Sequence, residues 1–279
     1  MRNISKQIII SSLIGFGIFF SCSSPNHEAN SKPPVPIEKQ FQTLLDTGSV
    51  KGSILIFDVN KSKYYSNDLK YAKTSHLPAS TFKIPNSLIA LELGIVETDT
   101  STILWDGKKR RFKIWEQDLS FRDAFHFSCV PCYQEIAAKV GVERMMDYTN
   151  KFEFGKMVLD SNTLTNFWLE GNSGINQFQQ IEFLKSFEGS QLPISDRTEN
   201  IMKRMMLITK NDSIELRGKT GWSNFEKVNN GWYVGYVKRQ ENTYYFATNI
   251  EPENGLKLNT FAERRKTITY DALNIIFDL

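Results

Sequence analysis

The chain has 279 residues, enough for one large domain or two small ones with ample core. Its 34 lysines and arginines against 31 aspartates and glutamates leave a formal charge of +3, too small and too evenly spread for a nucleic-acid binder. Three cysteines and the scattered His27, His76 and His126 lack the spacing of a metal centre. In chain order, Arg2 and Lys6 precede an apolar run over residues 8–20, which meets Ser21-Cys22-Ser23-Ser24. A basic start, an apolar core of signal-peptide length and a small-residue exit predict export to the periplasm. The run is short for a membrane span, and an uncleaved signal anchor is the alternative.

Phe19-Phe20-Ser21-Cys22 resembles a bacterial lipobox, with Phe19 where an aliphatic residue is usual. Residues 1–22 are therefore expected to be a signal peptide ending in a lipobox, with Cys22 carrying a lipid anchor. Residues 23–36, rich in Ser, Asn and Pro, read as a flexible tether. Residues 37–279 read as one domain, with a sheet part over 37–97 and 190–279 and a helical part over 98–189.

Within that domain, Phe41, Leu44 and Leu45 give residues 37–46 the spacing of an amphipathic helix. Residues 52–59 are β-rich, Asn60-Lys61 is a turn and residues 63–66 return, which predicts a hairpin. A polar connection over 67–78 leads to a helix starting near Ser80, where Pro85 in the early turns predicts a 3₁₀-like start. Helical patterns then cover 120–127, 133–140, 142–151, 177–187 and 195–210. Strand patterns return at 214–220, 231–237 and 243–250 with short links, so antiparallel pairing is expected. A last helix over 261–277 should pack on that sheet. The fold class is mixed α/β (α+β): one antiparallel sheet assembled from both chain ends, flanked by helices, with a mostly helical insertion. Active sites often lie at such junctions.

Cys129 and Cys132 stand three apart, as a redox pair, a metal half-site or two buried thiols would. Export permits a disulfide, yet a bridge within a helix at that spacing has demanding geometry. Two small buried side chains is the favoured expectation.

Chemistry concentrates first at Ser80-x-x-Lys83. Residues three apart share a helix face, which sets the Lys83 amine beside the Ser80 hydroxyl. Serine is a poor nucleophile until a base takes its proton, and a helix start offers N–H groups to an oxyanion. Alone, such a pair is most often solvated surface. Three further elements lie downstream: Ser128-Cys129-Val130, Trp168-Leu169-Glu170-Gly171 and Lys219-Thr220-Gly221-Trp222. Alone, Trp168 reads as core and Lys219 as a strand-end charge. Gly218-Lys219-Thr220 mimics the end of a P-loop, but Ser213 occupies the position where that motif needs glycine.

Together, Pro78-Ala79-Ser80-Thr81-Phe82-Lys83, Ser128-x-Val130, Phe167-Trp168-Leu169-Glu170-Gly171 and Lys219-Thr220-Gly221 resemble the penicillin-recognising serine enzymes, and specifically the class D (oxacillinase-type) β-lactamases. Trp115-Glu116-Gln117-Asp118 and Val130-Pro131-x-Tyr133-Gln134 extend the resemblance over essentially the whole chain after the tether. It implies a β-lactamase/transpeptidase-like fold and a small β-lactam substrate, in a monomer or dimer. Ser80 would be the acylated nucleophile, and Lys83, N-carboxylated by CO₂, the base for acylation and deacylation; no other cofactor and no metal is implied. Val130 and Leu169 would line an apolar pocket that disfavours the ammonium form, and the Trp168 indole would steady the carbamate. Ser128 would relay a proton to the lactam nitrogen, supported by Lys219. Thr220 and Arg265, in Arg265-Lys266-Thr267-Ile268, would bind the substrate carboxylate beside Gly221 and Trp222, with Arg264 a neighbouring candidate. The N–H groups of Ser80 and Trp222 would form the oxyanion hole. One departure is Phe154-Gly155-Lys156 where the family usually has Tyr-Gly-Asn. The rival functions are a β-lactam-sensing ectodomain that keeps the acyl group and a D-alanyl-D-alanine peptidase; the Trp168-Leu169 element favours the lactamase.

Overall fold

The computed structural model describes residues 35–278; the expected signal peptide, Cys22 and the tether up to residue 34 lie outside them. Helix α1 (Ile37–Gly48) buries Phe41 and Leu45 along one face. Strands β1 (Val50–Asp58) and β2 (Lys63–Ser66) form the expected hairpin, paired from Asp58↔Lys63 to Leu55↔Ser66. A short helix α2 (Leu69–Ala72), capped by the Asp68 carboxylate, interrupts the polar connection. A 3₁₀ turn (Ala79–Phe82) then enters α3 (Lys83–Glu92), in which every residue from Lys83 to Leu91 is buried. Strands β3 (Thr102–Ile103) and β4 (Leu119–Ser120) pair as a small ribbon outside the main sheet. Helices α4 (Phe121–His126), α5 (Val130–Val140) and α6 (Val142–Lys151) form the helical insertion. Helix α7 (Gln177–Glu188) starts on a capping box between Asn176 and Gln179.

Helix α8 (Asp196–Met205) corrects one expectation. Ser195 caps it as predicted, but the helix stops at Met205, and Leu207–Lys210 is strand β5 instead of further helix. Its backbone pairs with β6 (Ile214–Phe225), Leu207 opposite Arg217 and Lys210 opposite Glu215. An open sheet edge supplies hydrogen bonds that a further helical turn would have had to make alone, and β-branched Ile208 and Thr209 suit a strand. Strands β7 (Val228–Arg239) and β8 (Asn242–Pro252) and helix α9 (Leu258–Phe277) complete the chain.

The six strands lie in the order β2-β1-β8-β7-β6-β5, all antiparallel. The expected sheet built from both chain ends is therefore present, because β1 pairs with β8 over nine residues from Val50↔Pro252 to Asp58↔Tyr244. The β6–β7 turn is Glu226-Lys227, with φ of 51° and 66°, the geometry that matches the twist of two antiparallel strands. Side chains alternate between faces. Tyr233 and Val237 join Phe41, Leu45, Phe261 and Ile268 under α1 and α9; Trp232, Val234 and Tyr236 join the larger cluster of Phe82, Leu88, Tyr133 and Trp168 on the other face. The catalytic candidates gather where that second face meets the helical insertion.

Candidate active site

The site starts from a strained turn. Ala79 has φ of +50°, a left-handed conformation that an alanine adopts only when its surroundings hold it there. The Ala79 N–H donates to the Trp168 carbonyl at 2.7 Å. Two side chains of β7 grip the preceding carbonyl of Leu77: Asn230 Nδ2 at 2.7 Å and Trp232 Nε1 at 2.8 Å. Asn249 Nδ2 donates in turn to Asn230 Oδ1 at 2.6 Å, and the Tyr71 hydroxyl to Asn249 Oδ1 at 3.0 Å. Sequence reasoning missed this buried network, whose trace is the polar Asn230 just before the run over residues 232–237 of β7.

Ser80 and Lys83 meet as their spacing predicts. Lys83 Nζ donates to Ser80 Oγ at 3.1 Å, and the lysine is only 1% exposed. Pro85 occupies the third position of α3, where its missing N–H has no intrahelical partner to lose, so the 3₁₀ turn lies upstream of it. The Lys83 amine also sits 4.9 Å from the centre of the buried Tyr133 ring, a contact the sequence did not announce. Half-buried Val130 and Leu169 pack against the same cluster. Burial draws the Lys83 amine down from 10.5 to about 7.

Trp168 is fully buried, with its ring stacked on Phe82, the residue before Lys83, at 5.5 Å. Its indole Nε1 is buried without a hydrogen-bond partner. An orphaned buried donor is uncommon and calls for an acceptor. Phe154, in the place of the family's tyrosine, is also fully buried and fills space edge-on against Phe82 and Phe183, while Lys156 is exposed.

The second pair comes from the α4–α5 turn and β6. Ser128 has φ of +53°, and its Oγ accepts from Lys219 Nζ at 2.5 Å. Lys219 is 4% exposed; burial, then the nearby charges of Lys83 and Arg265, hold its amine far below the ordinary lysine value. Gly221 lets β6 run against the nucleophile turn: a Cβ there would stand 3.2 Å from the Pro78 carbonyl oxygen and 3.1 Å from Thr81 Cγ2. Trp222 follows, with Nε1 donating to Asn229 at 3.0 Å and its ring edge-on to Phe261.

Arg265 reaches this strand from α9. Its Nη1 donates to the Gly221 carbonyl at 2.6 Å and its guanidinium lies 5.8 Å from the Trp222 ring. Burial lowers it to about 10. Thr220 is different: it pairs with Tyr233 whereas Lys219 pairs with Val234, so the two side chains leave β6 on opposite faces. Thr220 shares the α9 face and does not join the Ser80–Lys83–Ser128–Lys219 group.

Cys129 and Cys132 form a disulfide, against the expectation of two buried thiols, with Cα atoms 5.4 Å apart. Helix α5 begins at Val130, so Cys129 is its N-cap with ψ of 101° and lies outside the helical backbone. The strain expected of a bridge wholly within a helix does not arise. Among the described residues no cluster of three or more His, Cys, Asp or Glu could hold a metal.

Comparison with known proteins identifies relatives of the whole domain. The family of the penicillin binding protein transpeptidase domain matches residues 49–273. β-Lactamase OXA-48 of Klebsiella pneumoniae is 37% identical over 225 residues, covering 80% of this chain and 82% of that protein. β-Lactamase OXA-10 of Pseudomonas aeruginosa is 37% identical over 213 residues, covering 75% and 80%. The crystal structure of the class D β-lactamase YbXI from Nostoc superposes with a TM-score of 0.81 at 39% identity, over 87% of this chain and 99% of that one.

Proposed function

The chain belongs to the class D serine β-lactamases, and we propose that Ser80 takes the acyl group of the β-lactam while Lys83, carrying a CO₂-derived carboxyl group, serves as general base in acylation and deacylation. The observation that carries this reading is a desolvated Lys83 amine 3.1 Å from the Ser80 hydroxyl. An amine held near 7 has a substantial neutral population at physiological pH, and the neutral form is the one that combines with CO₂. Two features fit the added group: Val130 and Leu169 pack against the apolar cluster that contains Phe82 and Tyr133, and the unpaired Trp168 N–H is a donor in want of an acceptor.

The other roles follow from donor and acceptor counts. Ser128 Oγ accepts from Lys219, so the Ser128 O–H remains free to donate to the departing lactam nitrogen. The backbone N–H groups of Ser80 and Trp222 would take the oxyanion, since Gly221 brings β6 against the Ser80 turn. Arg265 would supply positive charge for the substrate carboxylate, with Thr220 reaching it only from the α9 face. Export through residues 1–22, with a lipid at Cys22, belongs to the same proposal and rests on the sequence pattern alone.

Nitrocefin turnover with and without bicarbonate tests the mechanism. Activity should fall reversibly in mild acid and on CO₂ removal, and return with bicarbonate. Lys83→Ala should abolish turnover; wild-type hydrolysis by that variant would overturn the proposal. A burst without turnover in the wild type would favour a sensor, and preferential cleavage of D-alanyl-D-alanine peptides a peptidase.

A further inference from the structure

Ser128 stands on a turn that has reason to relax. Its left-handed φ of +53° is not one that a side-chain-bearing residue prefers. Hydrogen bonds brace the turn: Ser128 N–H to the Phe125 carbonyl at 3.1 Å, Cys129 N–H to the Ala124 carbonyl at 2.9 Å, and the Trp115 indole to the Phe127 carbonyl at 3.0 Å. A further brace is covalent. The Cys129–Cys132 disulfide ties the residue beside Ser128 to the first turn of α5.

We propose that this disulfide is a positioning element for acylation, fixing the backbone that aims Ser128 Oγ between Lys219 and the lactam nitrogen. The inference rests on the proton-relay role proposed for Ser128. Two features separate positioning from general stabilisation. The bridge spans a sequence separation of only three, so it restrains the unfolded chain far less than a long-range bridge would. Without the bridge, the Cys129 side chain keeps only its cap contact, in which its sulfur accepts the Cys132 N–H at 3.3 Å. Sulfur is a weak acceptor, so the turn then relies on its backbone and indole hydrogen bonds and is held less firmly than with the covalent tie.

The bond is also within reach of a reductant. Cys129 is 1% exposed, but half-buried Cys132 lines a surface cavity of about 270 Å³ together with Trp105, Arg110 and Gln134. A dithiothreitol thiolate attacks Cys132 Sγ, the S–S bond breaks and the electron pair leaves on Cys129 sulfur, which takes a proton. The second reagent thiol then displaces the Cys132 thiolate, leaving two protein thiols and the cyclic oxidised reagent.

The test compares wild type with the Cys129→Ser/Cys132→Ser variant at saturating bicarbonate, measuring single-turnover acylation by nitrocefin. Acylation should slow by about ten- to hundredfold, while substrate binding and the bicarbonate requirement stay within about twofold of wild type. In a Ser128→Ala background the same cysteine changes should add less than about twofold, because the group they position is gone. Unchanged acylation, an additive loss in that background, or thiols found free by alkylation and mass measurement of the purified protein would each overturn the inference. Should the cysteine variant fail to fold, dithiothreitol-treated wild type and Ser128→Ala protein carry the same comparison. If Ser128→Ala alone acylates at the wild-type rate, the relay role has failed. If it is slow while the cysteine variant is fast, only the present inference has.

Discussion

A lysine buried to 1% exposure, whose hydrogen bond goes to a neutral serine, works against the stability of the fold that contains it. The unfolded chain holds the Lys83 proton up to about 10.5, whereas the folded chain releases it near 7. Between those values the unfolded state binds more protons, so this residue makes stability rise with pH, by at most ~1.4 kcal/mol per pH unit. Lys83→Met keeps the bulk and removes the charge. Without bicarbonate, the variant should exceed wild type in stability most clearly at about pH 6 and lose that lead towards pH 10. Urea denaturation across that range measures it, and a lead that does not shrink would mean that the amine is not desolvated. Trp168→Phe removes a different group. An aromatic ring still faces Phe82 and Phe167, but the unpaired N–H and part of the buried indole are lost. The melting temperature should therefore fall somewhat from the cavity, while, in the folded protein, the bicarbonate needed for half-maximal nitrocefin turnover rises by about tenfold, the effect of losing one charge-assisted hydrogen bond. An unchanged bicarbonate requirement would leave the orphaned indole unexplained.

At the scale of the element, β6 and β7 approach each other where Gly218 faces Gly235. A Cβ on Gly235 would lie 2.1 Å from the Arg217 carbonyl oxygen and 2.7 Å from Gly218 Cα, both backbone atoms that cannot turn aside. Gly235→Ala should cost about 3 kcal/mol or more, read as a lower urea midpoint. Since β6 carries Lys219 and Gly221, activity should fall with it. Elements with strong local signals were legible in the sequence: the helix over 142–151 and the strand over 63–66 match α6 and β2, because apolar spacing and turn residues decide them locally. What was not legible depends on distant chain. The segment at 207–210 becomes β5 only because β6 offers it an edge, and the apolar spacing of Met202, Met205 and Met206 runs straight into it. The cysteine pair was misread because its spacing was weighed as if both residues were helical, whereas α5 begins at Val130 and leaves Cys129 outside as its cap. The site divides the same way. Ser80 beside Lys83 follows from helical spacing, while the Tyr133 ring under the amine, the partnerless Trp168 N–H and the grip of Asn230 on the Leu77 carbonyl appear only once three elements have packed.

For the whole molecule, the decisive connection is β1 between β2 and β8. Nine paired residues join a strand near the start of the domain to one more than 180 residues later, at a stagger set by Val50↔Pro252. Loop closure on that scale carries an entropy loss that local contacts do not offset, so the sheet is completed only when both ends of the chain are present. The face beneath depends on the same join: Phe41 and Leu45 of α1 bury themselves against Ile268 and Leu273 of α9, and α9 also delivers Arg265 to Gly221. Two shortened chains separate these contributions. A chain beginning at Val35 retains every element from α1 to α9 and should hydrolyse nitrocefin with the kcat/KM of the full chain. A chain beginning at Ser62 lacks α1 and β1, which strips the α9 face of its cover and leaves β8 with an open hydrogen-bonding edge; it should fail to accumulate as soluble, cooperatively melting protein. A soluble, active product from the second chain would show that the strands from β5 to β8 hold the active site together without the N-terminal hairpin, and would remove the reason for placing the nucleophile between the two ends of the chain.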